Sequence, residues 1–256
     1  MSKENRDYIR HFNKGTEHYL LCRPDYPPAL FDHLAQMVAH DVTVWDCGTG
    51  NGQAAKALAE RFSQVIATDI NPAQIDVAVQ RQNIQYFCTP AEQTPIQSGS
   101  IGLVTIAQAL HWFNFPLFYD EVKRVSSPEG IIAAWCYSLG SLNNDSIDRL
   151  IKQLYYDVLG TEFWPKERFY IDEKYQTIPF PFTLMETPEF SIKKRINFNQ
   201  LIGYLSTWSA VKEFQKRKGF NPLDLIFNEL KSSWGNIDIE REIIWPLHCL
   251  IGKIHD

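Results

Sequence analysis

The sequence predicts an α/β protein built on a doubly wound, mostly parallel sheet of seven strands, and three observations carry that expectation. Short apolar runs alternate with helical patterns from Val42 to Trp135, which is the habit of βαβ units around a parallel sheet. A glycine-rich turn, Gly48-Thr49-Gly50-Asn51-Gly52, follows directly on the first of these runs. Two later runs, Phe190 to Phe198 and Ile243 to Ile254, have strand character and extend the sheet at its edge.

Val42 to Trp45 is the first strand, and Gln53 to Phe62 reads as a helix with Ala54, Ala57, Leu58 and Phe62 on one side. Gln64 to Ile70 is the second strand. Asn71 is placed as a helix N-cap with Pro72 at the first helical position, where its missing N–H costs nothing. Ile84 to Cys88, Ile101 to Ala107 and Gly130 to Trp135 are the third, fourth and fifth strands, with a helix from Phe115 to Val125 before the last. Five strands in about 95 residues make a doubly wound core. After Tyr137 the pattern changes, because Ser138 to Asn144 is a loop and the region to Asn236 is rich in aromatics and prolines without βα alternation. It is read as a helical cap, about 138–235, inserted after strand 5 and between the last two strands. The expectation is a single domain over 1–256, with a core at about 41–137 and an N-terminal helix at about 5–22.

Among the 256 residues, 25 Lys and Arg stand against 30 Asp and Glu, a formal net charge of −5. That argues against a nucleic-acid binder, whose phosphate contacts need clustered cations. The clusters present, Lys193-Lys194-Arg195 and Lys216-Arg217-Lys218, read as solvated faces. With 45% hydrophobic and 21% charged residues the composition is that of a globular protein. Met1 to Gly15 has no apolar leader core, and the run Ile101 to Leu110 falls well short of the ~18 residues of a membrane span. A soluble, cytoplasmic protein with no membrane partner is expected, either monomer or homodimer. The five cysteines, Cys22, Cys47, Cys88, Cys136 and Cys249, are widely spaced and read as small buried apolar residues in a reducing compartment. No metal site is read from the sequence.

The chemistry lies at Asp46-Cys47-Gly48-Thr49-Gly50-Asn51-Gly52-Gln53, three alternate glycines leading from strand to helix. A strand that turns at once into a helix needs positive φ or close ligand approach, and glycine supplies both. Asp69 ends the second strand 23 residues after Asp46, near the ~20 residues expected for an acid that holds a ribose hydroxyl pair. The ligand therefore contains a nucleoside. Gly50-Asn51-Gly52-Gln53-Ala54-Ala55 also fits a dinucleotide phosphate loop, so an NAD-dependent oxidoreductase is a competing reading. Asp46 discriminates: a carboxylate there repels a pyrophosphate but suits an ammonium or sulfonium charge. S-adenosylmethionine carries both.

At these residues the chain resembles the class I S-adenosylmethionine-dependent methyltransferases, and within them the type 11 group and its trans-aconitate methyltransferase-like branch. The resemblance extends to Tyr19-Leu20-Leu21-Cys22-Arg23-Pro24-Asp25-Tyr26-Pro27, to Ala91-Glu92, to Gln108-Ala109-Leu110-His111-Trp112-Phe113, and to Thr207-Trp208-Ser209 with Trp234-Gly235. It implies the Rossmann-like methyltransferase fold and S-adenosylmethionine as cofactor, with S-adenosylhomocysteine as product. It implies that Asp46, Gly48 and Gly50, in the loop closed by Gly52, line the methionine end and that Asp69 holds the ribose. Ile70 then flanks the adenine, Ala91 and Glu92 border its far edge, and Gln108 sits below the sulfonium. Two departures from the family pattern are Gly102, where an acid is usual, and Ser126-Ser127-Pro128-Glu129-Gly130 in place of an L-x-P-G-G turn.

Tyr19, Arg23, His111 and Trp112 are the candidates on the acceptor side, Tyr19 and Arg23 as lid or substrate-anion contacts by the resemblance. His111 is the candidate general base, weighed against a packed, hydrogen-bonded ring. The aromatics Trp112, Phe113, Phe115, Phe118 and Tyr119 are weighed as core. The acceptor is read as a small molecule, with a carboxylic acid giving a methyl ester first and a hydroxyl acceptor, with His111 as base, second. A carboxylate is ionised at neutral pH and needs no base, and Arg23 offers a planar bidentate donor for such an anion. A non-catalytic cofactor-binding protein and a nucleic-acid methyltransferase rank lower; the second lacks the polar-Pro-Pro-aromatic loop after the fourth strand.

Overall fold

The computed structural model describes residues 24–255 and separates into two compact units. The expected N-terminal helix at about 5–22, with Tyr19, Cys22 and Arg23, lies outside the described residues.

The sheet unit comprises Asp25–Ser138, Phe169–Ser191 and Pro246–Asp256. In chain order it contains α1 (Pro28–Met37), β1 (Thr43–Cys47), α2 (Gln53–Leu58), β2 (Gln64–Asp69), α3 (Pro72–Ile75), β3 (Ile84–Cys88), β4 (Ile101–Ala107), α4 (Phe115–Val125) and β5 (Ser126–Tyr137). Later in the chain come α5 (Asp145–Lys152), α6 (Arg168–Asp172), β6 (Thr183–Leu184), β7 (Phe190–Ile196), α7 (Phe198–Ser206), α8 (Ser209–Lys218), α9 (Phe227–Trp234) and β8 (Arg241–Lys253). The strand order is β3-β2-β1-β4-β5-β8-β6, with β7 pairing off this path with β8. β1 to β5 run parallel, and β8 joins β5 antiparallel. Order therefore reverses at β1, whose neighbours are β2 on one side and β4 on the other. In doubly wound sheets such a reversal opens a crevice at the carboxyl ends of the strands, where ligands bind.

The central strands are near-continuous apolar runs because both faces are covered. Val44, Trp45 and Cys47 of β1 and Leu103, Val104 and Ile106 of β4 have no exposed surface, and α4 packs Phe118, Val122 and Val125 into one core with Trp45, Cys47, Val104 and Ile106. The buried Trp45 indole is satisfied by Thr68 Oγ1 at 2.9 Å, which ties β1 to β2. Asn71 caps α3 by accepting from the Ala73 amide, with Pro72 at the first helical position, as its side chain predicts.

Several expectations need correction. The helix from Gln53 stops at Leu58, short of Phe62, and it buries Ala54, Ala55 and Leu58. β5 begins at Ser126, so the segment through Gly130 extends the strand with a register shift against β4 instead of forming a separate turn. Cys47 and Cys136 are buried as expected, but Cys88 is exposed, because β3 lies at the edge of the sheet order. Among the aromatics, Phe118 and Tyr119 are core while Trp112 is 56% exposed.

The helical unit comprises Leu139–Arg168 and Ile192–Trp245 among the described residues. Asn144 caps α5, and Asn197 with Gln200 forms a capping box at the start of α7. Its aromatic centre joins Tyr155, Trp164, Tyr204, Trp208 and Trp245. Both basic clusters carry exposed ion pairs, Arg195 with Glu240 and Arg217 with Glu162, and Arg217 and Lys218 also lie over the Phe163 ring.

Gly102 explains itself sterically, since a Cβ there would stand 2.6 Å from Val42 Cβ. Gly102→Ala is expected to cost about 1–3 kcal/mol by overpacking, read as a lowered Tm. Val42→Gly in the same chain should recover part of that loss, whereas additive effects would contradict the steric account.

Candidate active site

The site assembles at the β1 reversal from three chain segments. β1 ends at Cys47 and the chain turns through Gly48, Gly50 and Gly52, all with positive φ, at 67°, 57° and 82°. Gly52 is the left-handed N-cap of α2. Two glycines are required for different reasons. At Gly48 a Cβ would stand 2.6 Å from Ala109 Cβ, so this position lets the loop after β4 approach the loop after β1. At Gly50 the nearest atom to such a Cβ is Gln74 Oε1 at 3.6 Å, so its backbone is open to a ligand.

Asp46 has no exposed surface. It faces Thr105 across the β1–β4 pairing, and Thr105 Oγ1 donates to its Oδ1 at 2.9 Å while Thr49 Oγ1 donates to Oδ2 at 2.5 Å. Burial pushes its carboxyl up from 3.8 to about 6, against hydrogen bonds from Thr49, Thr105 and the Ala55 backbone, with the nearby Asp69 charge adding to the rise. Among the described residues its donors are all neutral, in a place where a bound cation is favoured.

Asp69 holds the loop from the other side. Its Oδ2 accepts from the Gly50 amide and its Oδ1 from the Asn71 amide, both at 2.8 Å. Each carboxylate oxygen retains acceptor capacity, so the same group fits a pair of hydroxyls. Ile70 beside it is 71% exposed, an apolar side chain open to a flat partner. Ala91 is buried, and Glu92 Oε1 accepts from the Asn114 amide at 2.9 Å, tying the loop after β3 to the start of α4. Gln108 is a non-glycine residue at φ 57°, its amide bonded to Trp135 O and its Oε1 to the Tyr137 amide.

His111 follows in a short 3₁₀ turn and is 5% exposed, with Nδ1 3.0 Å from the hydroxyl of Tyr175. Trp112 packs its ring 5.0 Å from the imidazole. The structure therefore brings together Asp46, Gly48, Gly50, Gly52, Asp69, Ile70, Gln108, His111 and Trp112 around the strand ends, while Tyr19 and Arg23 lie outside the described residues. Sequence reasoning missed Thr49, Thr105 and Tyr175. A lone hydroxyl in the apolar run Ile101 to Ala107 was the available signal for Thr105; Tyr175 carries none.

Residues 45–134 match the family described as methyltransferase domain. A Dictyostelium discoideum protein named as a methyltransferase is 32% identical over 248 residues, covering 94% of each chain. This chain belongs to the class I S-adenosylmethionine-dependent methyltransferases. A solved structure described as a type II methyltransferase, from Anaeromyxobacter dehalogenans, superposes on this methyltransferase with a TM-score of 0.85 at 36% identity, covering 91% of this chain and 98% of that one. A malonyl-[acyl-carrier protein] O-methyltransferase of Marinomonas is 31% identical over 146 residues, 54% of each chain. The oxidoreductase reading of the glycine loop is set aside. The residues present fit S-adenosylmethionine: a buried anion that needs a cation, an open glycine backbone, a clamping carboxylate and an exposed apolar side chain stand in sequence along the strand ends. No helix among the described residues is long and apolar enough to cross a membrane.

The raised carboxyl of Asp46 makes folding of the ligand-free methyltransferase pH-dependent. Because its folded value lies above its unfolded one, its contribution to stability is full below about pH 4 and is lost as pH rises through about 6. Asp46→Asn removes that loss, so the variant should gain on the wild type by up to ~3 kcal/mol between pH 4 and pH 7. Thermal unfolding across this range checks it; a constant difference in Tm would contradict the desolvated anion.

Proposed function

We propose that this methyltransferase acts on a small organic acid, methylating a carboxylate oxygen to give a methyl ester, and that it sits with the trans-aconitate methyltransferase-like branch. The observation that carries this reading is the state of His111: the candidate base is buried with one ring nitrogen already engaged by Tyr175. Chemistry that needs no base suits that site best. The partial likeness to an enzyme named as an O-methyltransferase of a malonyl carrier adds support.

When bound, S-adenosylmethionine supplies an activated methyl group and is released as S-adenosylhomocysteine. Asp46, with the loop of Gly48 and Gly50, would hold the methionine ammonium, while Gly52 starts α2 behind that loop. Asp69 would accept from the ribose hydroxyls, Ile70 would cover the adenine, Ala91 and Glu92 would border its edge, and Gln108 would serve the sulfonium end. Transfer to a carboxylate oxygen would require no proton to leave the acceptor, so the site would need no general base. The protein's task is orientation, which accounts for ~7–11 kcal/mol in well-ordered intramolecular cases. By the family resemblance, Arg23 is the cation proposed for the acid's second anionic group and Tyr19 a further substrate contact; Trp112, exposed next to His111, offers the acceptor an apolar wall.

Titration calorimetry with S-adenosylmethionine should show binding that Asp69→Ala largely abolishes, because the Gly50 and Asn71 amides lose their acceptor along with the ribose contact. Normal affinity in that variant would remove the cofactor assignment. For the acceptor, methyl transfer to a pool of cell metabolites, followed by mass spectrometry, should yield a methyl ester. On that acid, Arg23→Ala should raise KM strongly, while His111→Ala should leave kcat within about tenfold, ~1.4 kcal/mol. A loss of several orders of magnitude in kcat for His111→Ala, with Arg23→Ala near wild type, would point to a hydroxyl acceptor.

A further inference from the structure

We propose that Tyr86 is a positioning residue for the glycine loop: through Val79 it fixes the peptide between Asn51 and Gly52, and that peptide holds Gly50 open toward the cofactor. The inference rests on the reading above that this loop takes the methionine end of S-adenosylmethionine, and it adds one residue of β3 to the machinery that shapes it.

Register brings Tyr86 into line with the site. Thr105, Asp46, Ala67 and Tyr86 form one row across β4, β1, β2 and β3, and paired residues of neighbouring strands share a face of the sheet. Asp46 accepts from Thr105 in the row and from Thr49 in the loop, which marks that face as the one under the glycine loop. Ala67, between Asp46 and Tyr86, is the smallest of the four. The phenol oxygen of Tyr86 ends against the loop, where a Cβ at Gly52 would collide with it.

Three hydrogen bonds lead from the phenol to the turn that carries Gly50. The Tyr86 hydroxyl donates to Val79 O at 2.7 Å, and the Val79 amide donates to Asn51 O at 3.1 Å. The Gly52 amide, on the same peptide as Asn51 O, donates to Thr49 O at 3.0 Å and closes the turn that contains Gly50. Both polar groups of that one peptide are engaged, so its plane is fixed. On the other flank Asp69 accepts from the Gly50 amide, and Gly50 stands between two holds. The direction of the first bond is unambiguous, because a carbonyl oxygen only accepts. Burial, with the Asp46 charge adding, pushes the phenol up to about 12, so it remains a donor through the neutral range. A phenylalanine would occupy nearly the same space; the oxygen is what adds the bond to Val79 and the contact with Gly52.

Titration calorimetry of the full-length protein with S-adenosylhomocysteine tests the inference. Tyr86→Phe is expected to raise Kd roughly threefold to tenfold, the equivalent of one net hydrogen bond. A purely structural hydroxyl would lower Tm and leave the Kd of the folded protein at the wild-type value, and that result overturns the inference. Gly52→Ala, made in the wild type and in Tyr86→Phe, reads the contact itself. Strain at φ 82° is common to both backgrounds, so the loss of affinity should be smaller where the hydroxyl is gone; equal losses overturn the inference as well. Failure of the wild type to bind S-adenosylhomocysteine would overturn the cofactor reading along with it, whereas wild-type binding that Tyr86→Phe leaves unchanged removes this inference alone.

Discussion

A carboxylate with no access to water, at the end of the first strand, is the constraint on which the site depends. Asp46 is held by two threonine hydroxyls and a backbone amide, and none of these is charged. Contrast Glu121, on the buried face of α4. Burial raises its carboxyl too, but hydrogen bonds from the Arg124 guanidinium and Thr94 outweigh it and bring the group below its ordinary value. Arg124 meanwhile donates to Ile96 O, Ser98 Oγ and Thr94 O, so that pair is closed on itself. Two buried acids in one fold have opposite outcomes because, among the described residues, one has a cation of its own and the other has none. A buried charge without an opposite partner is costly, and the fold retains it where a cationic ligand arrives.

The rest of the site follows from where that carboxylate stands. β1 lies at the reversal of strand order, so its end opens between β2 and β4 instead of against one continuing neighbour. The parallel register sets Asp46 opposite Thr105 and brings Asp69 to the same rim. Asp69 then ties the glycine loop, through the Gly50 amide, to the turn after β2, through the Asn71 amide. Close approach of Ala109 to Gly48 carries the loop after β4, and His111 with it, into the same crevice. Sheet order, register and one small residue thus place these chemically distinct groups at one rim.

Much of this was readable before any coordinates. The strands from Gln64 to Asp69 and Ile101 to Ala107 are centred on short, β-branched-rich apolar runs, and such runs have few alternatives in an α/β chain. Asp46, the glycines and Asp69 were legible because their spacing encodes a mechanism. What escaped the sequence depends on partners far along the chain. Thr105 looks like strand filler until the register sets it against Asp46, 59 residues earlier. Tyr175 stands 64 residues from His111, on a turn with no glycine to announce it. The early end of α2 at Leu58 and the exposure of Cys88 belong to the same class. Periodicity specifies which residues share a face, but not where neighbouring elements stop or which strand lies at the edge.

The central claim is that the Asp46 charge is held ready for a cationic ligand, and the most direct measurement is the affinity for S-adenosylmethionine as a function of pH. Calorimetry from about pH 7.5 to pH 5 should show affinity steady above about pH 6 and falling toward tenfold per pH unit below it, as protonation removes the anion. Asp46→Asn should bind weakly and with no such slope. A wild-type affinity that stays flat across this range, or an Asp46→Asn variant that binds as tightly as wild type, would contradict the account.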